Sequence, residues 1–162
     1  MRRFIVVALV ALTVASTVVA PGAAAARSRA VGSFTATLDF GSLTLRDVGP
    51  QACRLTVDGV LAFTGTIDGT AAGTTDALIA APCAAVATTP PGTFADGFVF
   101  RGRFAGRIDG AATSAALTYA GVTRPGGAIR AGMTMGAGAI ALLDVDAVVG
   151  VGGTYAGFAR AA

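Results

Sequence analysis

The stretch FVFRGRFAGRI, residues 98–108, places its largest apolar side chains and its charged side chains at alternating positions. The phenylalanines and the isoleucine share one parity: Phe98, Phe100, Phe104 and Ile108. Its charged side chains share the other parity: Arg101, Arg103 and Arg107. Successive side chains of a β-strand point to opposite faces. The stretch therefore predicts a strand with an apolar inner face and a charged outer face.

Other segments of the chain repeat this alternation. They are SFTATLD (33–39), CRLTV (53–57), LAFTGTI (61–67) and AIRAGMTM (128–135). No comparable window has a helical period, and the chain has neither Glu nor Lys, which favour helices. We therefore expect an all-β protein.

Asp-Gly pairs mark candidate turns between these segments, at 58–59, 68–69, 96–97 and 109–110. Asp-Gly between alternating runs is a strong hairpin signal. We expect an antiparallel meander whose strands lie near 51–57, 60–67, 70–80, 98–108, 111–122, 127–135, 139–149 and 152–160. The segment APCAAVATTPPG, residues 81–92, has three prolines and no alternation, and is predicted to be the longest loop.

A meander of about eight strands can close into a small β-barrel or form a two-sheet β-sandwich. The small number of long crossovers favours the barrel, and glycines within strands supply the bends that a tightly coiled barrel needs. The pattern F-x-G-x-I-D-G-x-A occurs at 63–71 and again at 104–112. The repeat indicates either two hairpins with the same turn chemistry or a duplicated meander.

The N-terminal segment has the layout of a secretory signal peptide. Arg2 and Arg3 precede an apolar run over 4–20, which is followed by Pro21, Gly22 and four alanines at 23–26. A membrane helix is the alternative, because 17 residues is the lower limit for a span. We expect residues 1–26 to be removed, leaving a single secreted domain over 27–162 with no stable membrane span.

Composition excludes several function classes. The 12 basic residues, all arginine, exceed the nine acidic ones, all aspartate, but two of the arginines lie in the signal peptide. The remaining net charge of about +1 does not indicate nucleic-acid binding, which needs a concentrated basic face. The absence of histidine excludes Ser-His and Cys-His nucleophile systems and histidine metal sites. We expect no cofactor and no metal.

Cys53 and Cys83 are the two cysteines of the chain. In an exported protein an even number of cysteines is most simply explained by disulfide bonding. A reactive thiol pair is the alternative, but neither cysteine belongs to a C-x-x-C motif and no histidine can activate a thiolate. We predict a Cys53–Cys83 disulfide.

Two charged groups of residues could bind ligands. The arginines of 98–108 could hold a phosphate or a carboxylate, or form a solvated outer face. Asp144 and Asp146 share their parity with Ile140 and Leu142, which predicts that they could face the barrel lumen. One D-x-D supplies too few oxygen ligands for a metal, although a raised carboxylate pKa could serve acid–base chemistry.

The aromatic side chains are the best candidates for a ligand site inside the barrel. We expect six of them to line the lumen: Phe63, Phe98, Phe100, Phe104, Tyr119 and Tyr155. A buried tyrosine more commonly packs its ring and sends its hydroxyl to the backbone. No residue is assigned a catalytic role.

The C-terminal residues VVGVGGTYAGFARA, 148–161, contain the core G-G-T-Y-A-G at 152–157. This core resembles the G-G-T-G-x-Y-x-G stretch of allene oxide cyclase and dirigent-like β-barrels, one residue shorter, and the F-x-G-x-I-D-G strands are similar to bacterial secreted members of that group. The resemblance covers about residues 55–160. It implies an eight-stranded barrel with an apolar lumen, in which some members cyclise or steer reactive small molecules. This chain departs from the cyclase pattern because it has no Glu or Asn.

Three function classes remain. We expect a secreted β-barrel that binds a small apolar ligand in its lumen. The alternatives are a structural or surface-interaction protein with a filled core and a cyclase or dirigent-like enzyme. The oligomeric state is left open.

Overall fold

The structure is a computed structural model that describes residues 29–162, and it is a closed barrel of eight antiparallel strands. The strands are β1 (Arg29–Gly49), β2 (Ala52–Gly65), β3 (Ile67–Ile79), β4 (Asp96–Ile108), β5 (Ala111–Thr123), β6 (Ala128–Gly136), β7 (Ala139–Val148) and β8 (Gly152–Ala161). Each strand pairs with the next, and β8 pairs with β1. The predicted barrel is confirmed. The predicted signal peptide over 1–26 lies outside the described residues.

Strand β4 has the two faces that its alternation predicts. The side chains of Phe98, Phe100, Phe104 and Ile108 are buried in the barrel. Those of Arg101, Arg103 and Arg107 are exposed on its outer surface. The arginine row is therefore an outer face of the barrel.

The Asp58–Gly59 turn prediction is wrong, because this pair lies within β2. Asp58 is paired with both neighbouring strands, and its N–H donates a hydrogen bond to Ser42 Oγ at 2.8 Å. A Cβ at Gly59 would lie 2.8 Å from the Thr37 carbonyl oxygen. The glycine thus permits a close approach where β1 shifts register between Asp39 and Thr44. Strand β2 therefore continues through this pair instead of reversing.

Among the four Asp-Gly pairs, Asp109–Gly110 forms the two-residue turn between its strands. Both residues have positive φ, 49° and 79°, as a type I′ hairpin turn requires. The pairs at 68–69 and 96–97 lie within β3 and β4. The β2–β3 reversal occurs instead at Gly65–Thr66, where the Thr66 hydroxyl bonds the backbone of Val31.

The repeated F-x-G-x-I-D-G-x-A pattern does not mark a duplicated meander. The copy at 63–71 spans the β2–β3 reversal, whereas the copy at 104–112 runs along β4 and into the Asp109–Gly110 turn. The two copies therefore do not use the same turn chemistry either. What they share is the placement of a buried phenylalanine and a buried isoleucine at one end of the barrel.

The two ends of the barrel differ in how they are filled. We call the end where β2 joins β3 and β4 joins β5 the closed end. It contains four of the largest fully buried side chains, which come from the ends of β2, β3 and β4 that meet there: Phe63, Ile67, Phe104 and Ile108. We call the opposite end, where β3 joins β4 and β7 joins β8, the open end.

The connection between β3 and β4, residues 80–95, extends over the open end and is called here the cap loop. It contains one short helix, α1 (Cys83–Val86). A disulfide joins Cys83 to Cys53 of β2 with a Cα–Cα distance of 4.9 Å, as predicted. Farther along, the Gly92 carbonyl oxygen accepts a hydrogen bond from the Gly126 N–H at 2.9 Å. The cap loop is thus attached to β2 and to the β5–β6 turn.

Within residues 29–162, none of the helices is long and apolar enough to cross a membrane.

Candidate functional site

A cavity of about 300 Å³ lies inside the open end of the barrel, beneath the cap loop. Small-molecule sites in proteins have volumes of about 300–1,000 Å³. The cavity is therefore large enough for a small organic ligand.

The walls of the cavity are predominantly apolar. Aliphatic side chains from three strands form part of the lining: Leu55, Val57, Leu61, Ala77, Ile79 and Ile129. Aromatic rings form another part: Phe34, Phe40, Phe94, Phe98, Phe100 and Tyr119. The Tyr119 ring makes T-shaped contacts with Phe98 and Phe34, at centroid distances of 4.9 and 5.8 Å. These edge-to-face contacts fix the rings of the wall in place.

Polar side chains interrupt this apolar lining, and three of them belong to β4 and β5. They are Asp96 at the start of β4, Thr123 at the end of β5, and Tyr119, which lies four residues before Thr123 on the same inner face of β5. Asp96 and Thr123 are directly opposite each other in the β4–β5 register. Thr123 is 2% exposed and Tyr119 is 5% exposed.

Each of the three has a buried oxygen without a hydrogen-bond partner among residues 29–162. The atoms are Asp96 Oδ1, Tyr119 Oη and Thr123 Oγ1. A buried polar atom that lacks a partner costs about 1–3 kcal/mol, so native proteins rarely leave three of them together. Their common position in the wall of one cavity makes this cavity the candidate functional site of the described chain.

Burial also changes the ionisation of two of these groups. It raises the pKa of the Asp96 carboxyl, and the hydroxyl of Thr123 nearby offsets only part of that rise. Burial likewise raises the pKa of the Tyr119 phenol, which therefore remains protonated at neutral pH. Strands β4 and β5 thus contribute one carboxyl group and two hydroxyl groups to a predominantly apolar wall.

The structure divides the six predicted ligand-binding aromatics into two groups. Phe98, Phe100 and Tyr119 line the cavity. Phe63, Phe104 and Tyr155 pack together at the closed end, where the Phe63 ring lies 5.9 Å from Phe104 and 6.0 Å from Tyr155 between centroids. The sequence pattern predicts that all six rings line one lumen and does not distinguish the wall of the cavity from the packed closed end.

Tyr155 occupies a site that satisfies its hydroxyl group. The oxygen accepts a hydrogen bond from the Ile67 N–H at 3.0 Å and lies 3.2 Å from the carbonyl oxygens of both Thr64 and Ile67. A Cβ at Gly32 would overlap this hydroxyl group, so the glycine makes room for it. Tyr155 thereby ties β8 to the β2–β3 reversal, which is a structural role.

Sequence reasoning missed Asp96 and Thr123. Asp96 was interpreted as part of an Asp-Gly turn, although it shares the inward parity of Phe98 and Phe100. Thr123 shares the inward parity of Tyr119. The signal was therefore present in the alternation, and extending each strand by two residues would have found it.

The prediction that Asp144 and Asp146 could face the lumen is wrong. Both are exposed, and the inward positions of β7 are taken by Ala141, Leu143 and Val145. Asp146 instead forms an exposed ion pair with Arg130 on the neighbouring strand. The apolar residues of both parities in β7 made its inner face ambiguous in the sequence.

Comparison with known proteins identifies the fold. No family model and no curated protein matches the sequence. A solved structure of a protein with unknown function from the DUF3224 family of Shewanella oneidensis MR-1 is similar, with a TM-score of 0.59 and 13% sequence identity. The match covers 84% of this chain and 98% of that chain. At this identity the likeness concerns the fold alone.

Proposed function

We propose that this protein is a secreted carrier that binds one small, predominantly apolar molecule inside the open end of its barrel. The observation that carries the proposal is the cavity of about 300 Å³, which is lined by Asp96, Tyr119 and Thr123, three residues whose buried oxygens lack a hydrogen-bond partner among residues 29–162. An apolar pocket with a few convergent polar groups is the usual form of a small-molecule site. Apolar walls supply affinity, and the polar groups orient the ligand.

The half-filled interior favours a carrier over a structural protein with a filled core. Filling the barrel completely would have required larger side chains at inward positions of the open end, where Ala36, Ala77 and Ala147 stand. Cavities reduce stability in proportion to their volume, so a purely structural barrel gains nothing from this one.

Secretion belongs to the same proposal. The Cys53–Cys83 disulfide is compatible with an oxidising compartment, and the layout of residues 1–26 is that of an export signal. A carrier of this kind would hold its ligand outside the cell.

The direct test is native mass spectrometry of the protein purified from its own culture medium, before and after denaturation. We expect an added mass that is lost on unfolding and that identifies the ligand. A bare polypeptide in every preparation, together with no uptake of apolar probes by refolded protein, would contradict the carrier proposal.

A matched pair of variants locates the binding. Ala77→Phe places a ring in the cavity, whereas Ala72→Phe places the same ring on the exposed face of the same strand. We expect Ala77→Phe to abolish uptake of an apolar fluorescent probe and Ala72→Phe to retain it. Equal uptake by both variants would place the bound probe outside the cavity.

A second candidate function is a cyclase or dirigent-like enzyme, in line with the sequence resemblance. The observation that favours it is the Asp96 carboxyl, whose pKa is raised by burial and which could donate a proton to a reactive ligand in the cavity. The test is whether a ligand recovered from the culture medium is converted by wild-type protein and left unconverted by Asp96→Asn.

A further inference from the structure

The charge of the cavity is unbalanced. Asp96 is the one ionisable acid or base, apart from the Tyr119 phenol, among the residues of 29–162 that line it. The arginines of β4 point outward, and none of the chain's described arginines lines the cavity. A carboxyl group is therefore held in an apolar wall without a cation, although a charge in such surroundings normally has one.

The unpartnered oxygens suit a hydrogen-bond donor. Asp96 Oδ1 and Thr123 Oγ1 lie on neighbouring strands at paired positions. The Thr123 hydroxyl is near enough to the Asp96 carboxyl to lower its pKa, but neither atom makes a hydrogen bond of normal geometry within the part of the chain that the structure describes. An ionised carboxylate can only accept hydrogen bonds, and a hydroxyl oxygen can also accept them. A primary ammonium group has three donors and no acceptor, so it complements this pair of oxygens.

Two of the aromatic residues that line the cavity are close to Asp96 in the chain. Phe94 and Phe98 flank Asp96 in the chain, two residues away on either side, and both line the cavity. The face of an aromatic ring attracts a cation, most strongly where water is excluded. An anionic ligand would meet the opposite conditions, since it would face the carboxylate of Asp96 and no compensating arginine.

We infer that the ligand is an apolar primary amine whose ammonium group binds between Asp96 and Thr123 while its hydrocarbon body fills the cavity. This inference rests on the proposed carrier function and names the chemical class of its ligand. The rings of Phe94 and Phe98 stabilise the cation, and the aliphatic wall formed by β2 and β3 holds the body. Tyr119, deeper on β5, offers a further hydroxyl group to the bound molecule.

The test uses three probes that share one skeleton and differ in one group: phenylbutylamine, phenylbutanol and phenylbutanoate. Their affinities for refolded, ligand-free protein are measured by isothermal titration calorimetry at neutral pH. We expect the amine to bind about tenfold more tightly than the alcohol, since hydrogen bonds to charged groups are the stronger ones. The carboxylate should bind most weakly.

Two variants separate the role of Asp96 from general effects of charge. In Asp96→Asn the preference for the amine over the alcohol should fall to near one. In Asp144→Asn, which removes an exposed carboxylate from the outer face of β7, the preference should be unchanged. If Asp96→Asn fails to fold, Thr123→Val serves in its place and should reduce the preference for the amine.

The possible outcomes distinguish this inference from the carrier proposal. Binding of the alcohol as tightly as the amine, or an amine preference that survives Asp96→Asn, would overturn the amine inference and leave the carrier proposal standing. Failure of all three probes to bind would overturn both.

Discussion

The two tyrosines of the barrel both point inward from their strands and are similarly buried, yet their hydroxyl groups have different surroundings. Tyr155 at the closed end is 2% exposed, and its hydroxyl is hydrogen-bonded to the backbone of Ile67. Tyr119 at the open end is 5% exposed, and its hydroxyl has no partner within residues 29–162. One phenol completes a packed structure, whereas the other lies in the wall of a cavity. The same barrel is therefore packed at one end and partly empty at the other, where we propose that a ligand binds.

Side-chain volume explains the difference between the two ends. At the closed end Phe104 lies in register between Ala71 and Ala115, so that a large residue fills the space left by two small ones. This alternation of large and small residues gives dense packing. At the open end Phe98 lies between Ala77 and Gly121, and the ring leaves part of the interior empty.

The largest expected effect comes from truncating the packed end. Phe104 is 0% exposed, so Phe104→Ala should lower the free energy of unfolding by about 3–5 kcal/mol through lost contacts and a new cavity. Phe98→Ala should cost less, because Phe98 already borders empty space. Urea denaturation of both variants measures the difference. Equal losses would mean that the open end is packed as tightly as the closed one.

The disulfide should have the next largest effect. Its two cysteines are 30 residues apart in the chain, and a closed loop of that length contributes roughly 3–4 kcal/mol on the chain-entropy model. The Cys53→Ser, Cys83→Ser double variant should lose stability by that amount and exchange amide hydrogens faster in the cap loop. Amide hydrogens at the closed end should exchange faster only to the extent that global unfolding becomes more frequent. A melting temperature that is unchanged by reduction would show that the bond does not form.

The comparison between the tyrosines is tested by removing each hydroxyl. Tyr155→Phe leaves the Ile67 N–H without its partner and should cost about 1–3 kcal/mol. Tyr119→Phe removes a buried hydroxyl that has no partner in the described chain, so stability should stay the same or rise. Thermal denaturation of the two variants and the wild type measures the change in stability that each substitution causes. Equal destabilisation would show that the Tyr119 hydroxyl has a stabilising partner after all.

The fold was largely predictable because one physical signal dominates this sequence. The alternation in 98–108 determines which face of β4 is buried, and similar runs predicted the other strands. The strand ends were less predictable. Asp-Gly has the chemistry of a tight turn, but at 58–59 the pairing of a long strand with both of its neighbours prevails over that local preference.

The site was only partly predictable, since parity says which side chains point inward and not how much space they leave. Phe63 and Phe98 look equivalent in the sequence, although one is packed and the other borders a cavity. The position of a residue along the barrel axis depends on strand register and on the stagger of closure. Those quantities come from long-range pairing, which no local pattern encodes.

The smallest expected effect is also the one with an unusual sign, and it concerns pH. Because the pKa of Asp96 is raised on folding, the folded protein holds this proton more tightly than the unfolded chain does. Its contribution to stability is therefore fully present below the ordinary aspartate pKa and is lost as pH rises through the raised value. Asp96→Asn, which cannot ionise, should be more stable than the ligand-free wild type at neutral pH, with the difference vanishing in acid.

Asp76 is the matched control, because its hydrogen bond with Arg54 lowers its pKa. The contribution of Asp76 to stability is therefore present above the ordinary aspartate pKa and is lost as pH falls through the lowered value. Asp76→Asn should then be the less stable protein at neutral pH, and urea titrations across the acid range would reveal the opposite slopes. If the stability difference from the wild type changed with pH in the same direction for both variants, Asp96 would be as well solvated as Asp76. The open end would then lose the polar group that distinguishes it from the closed one.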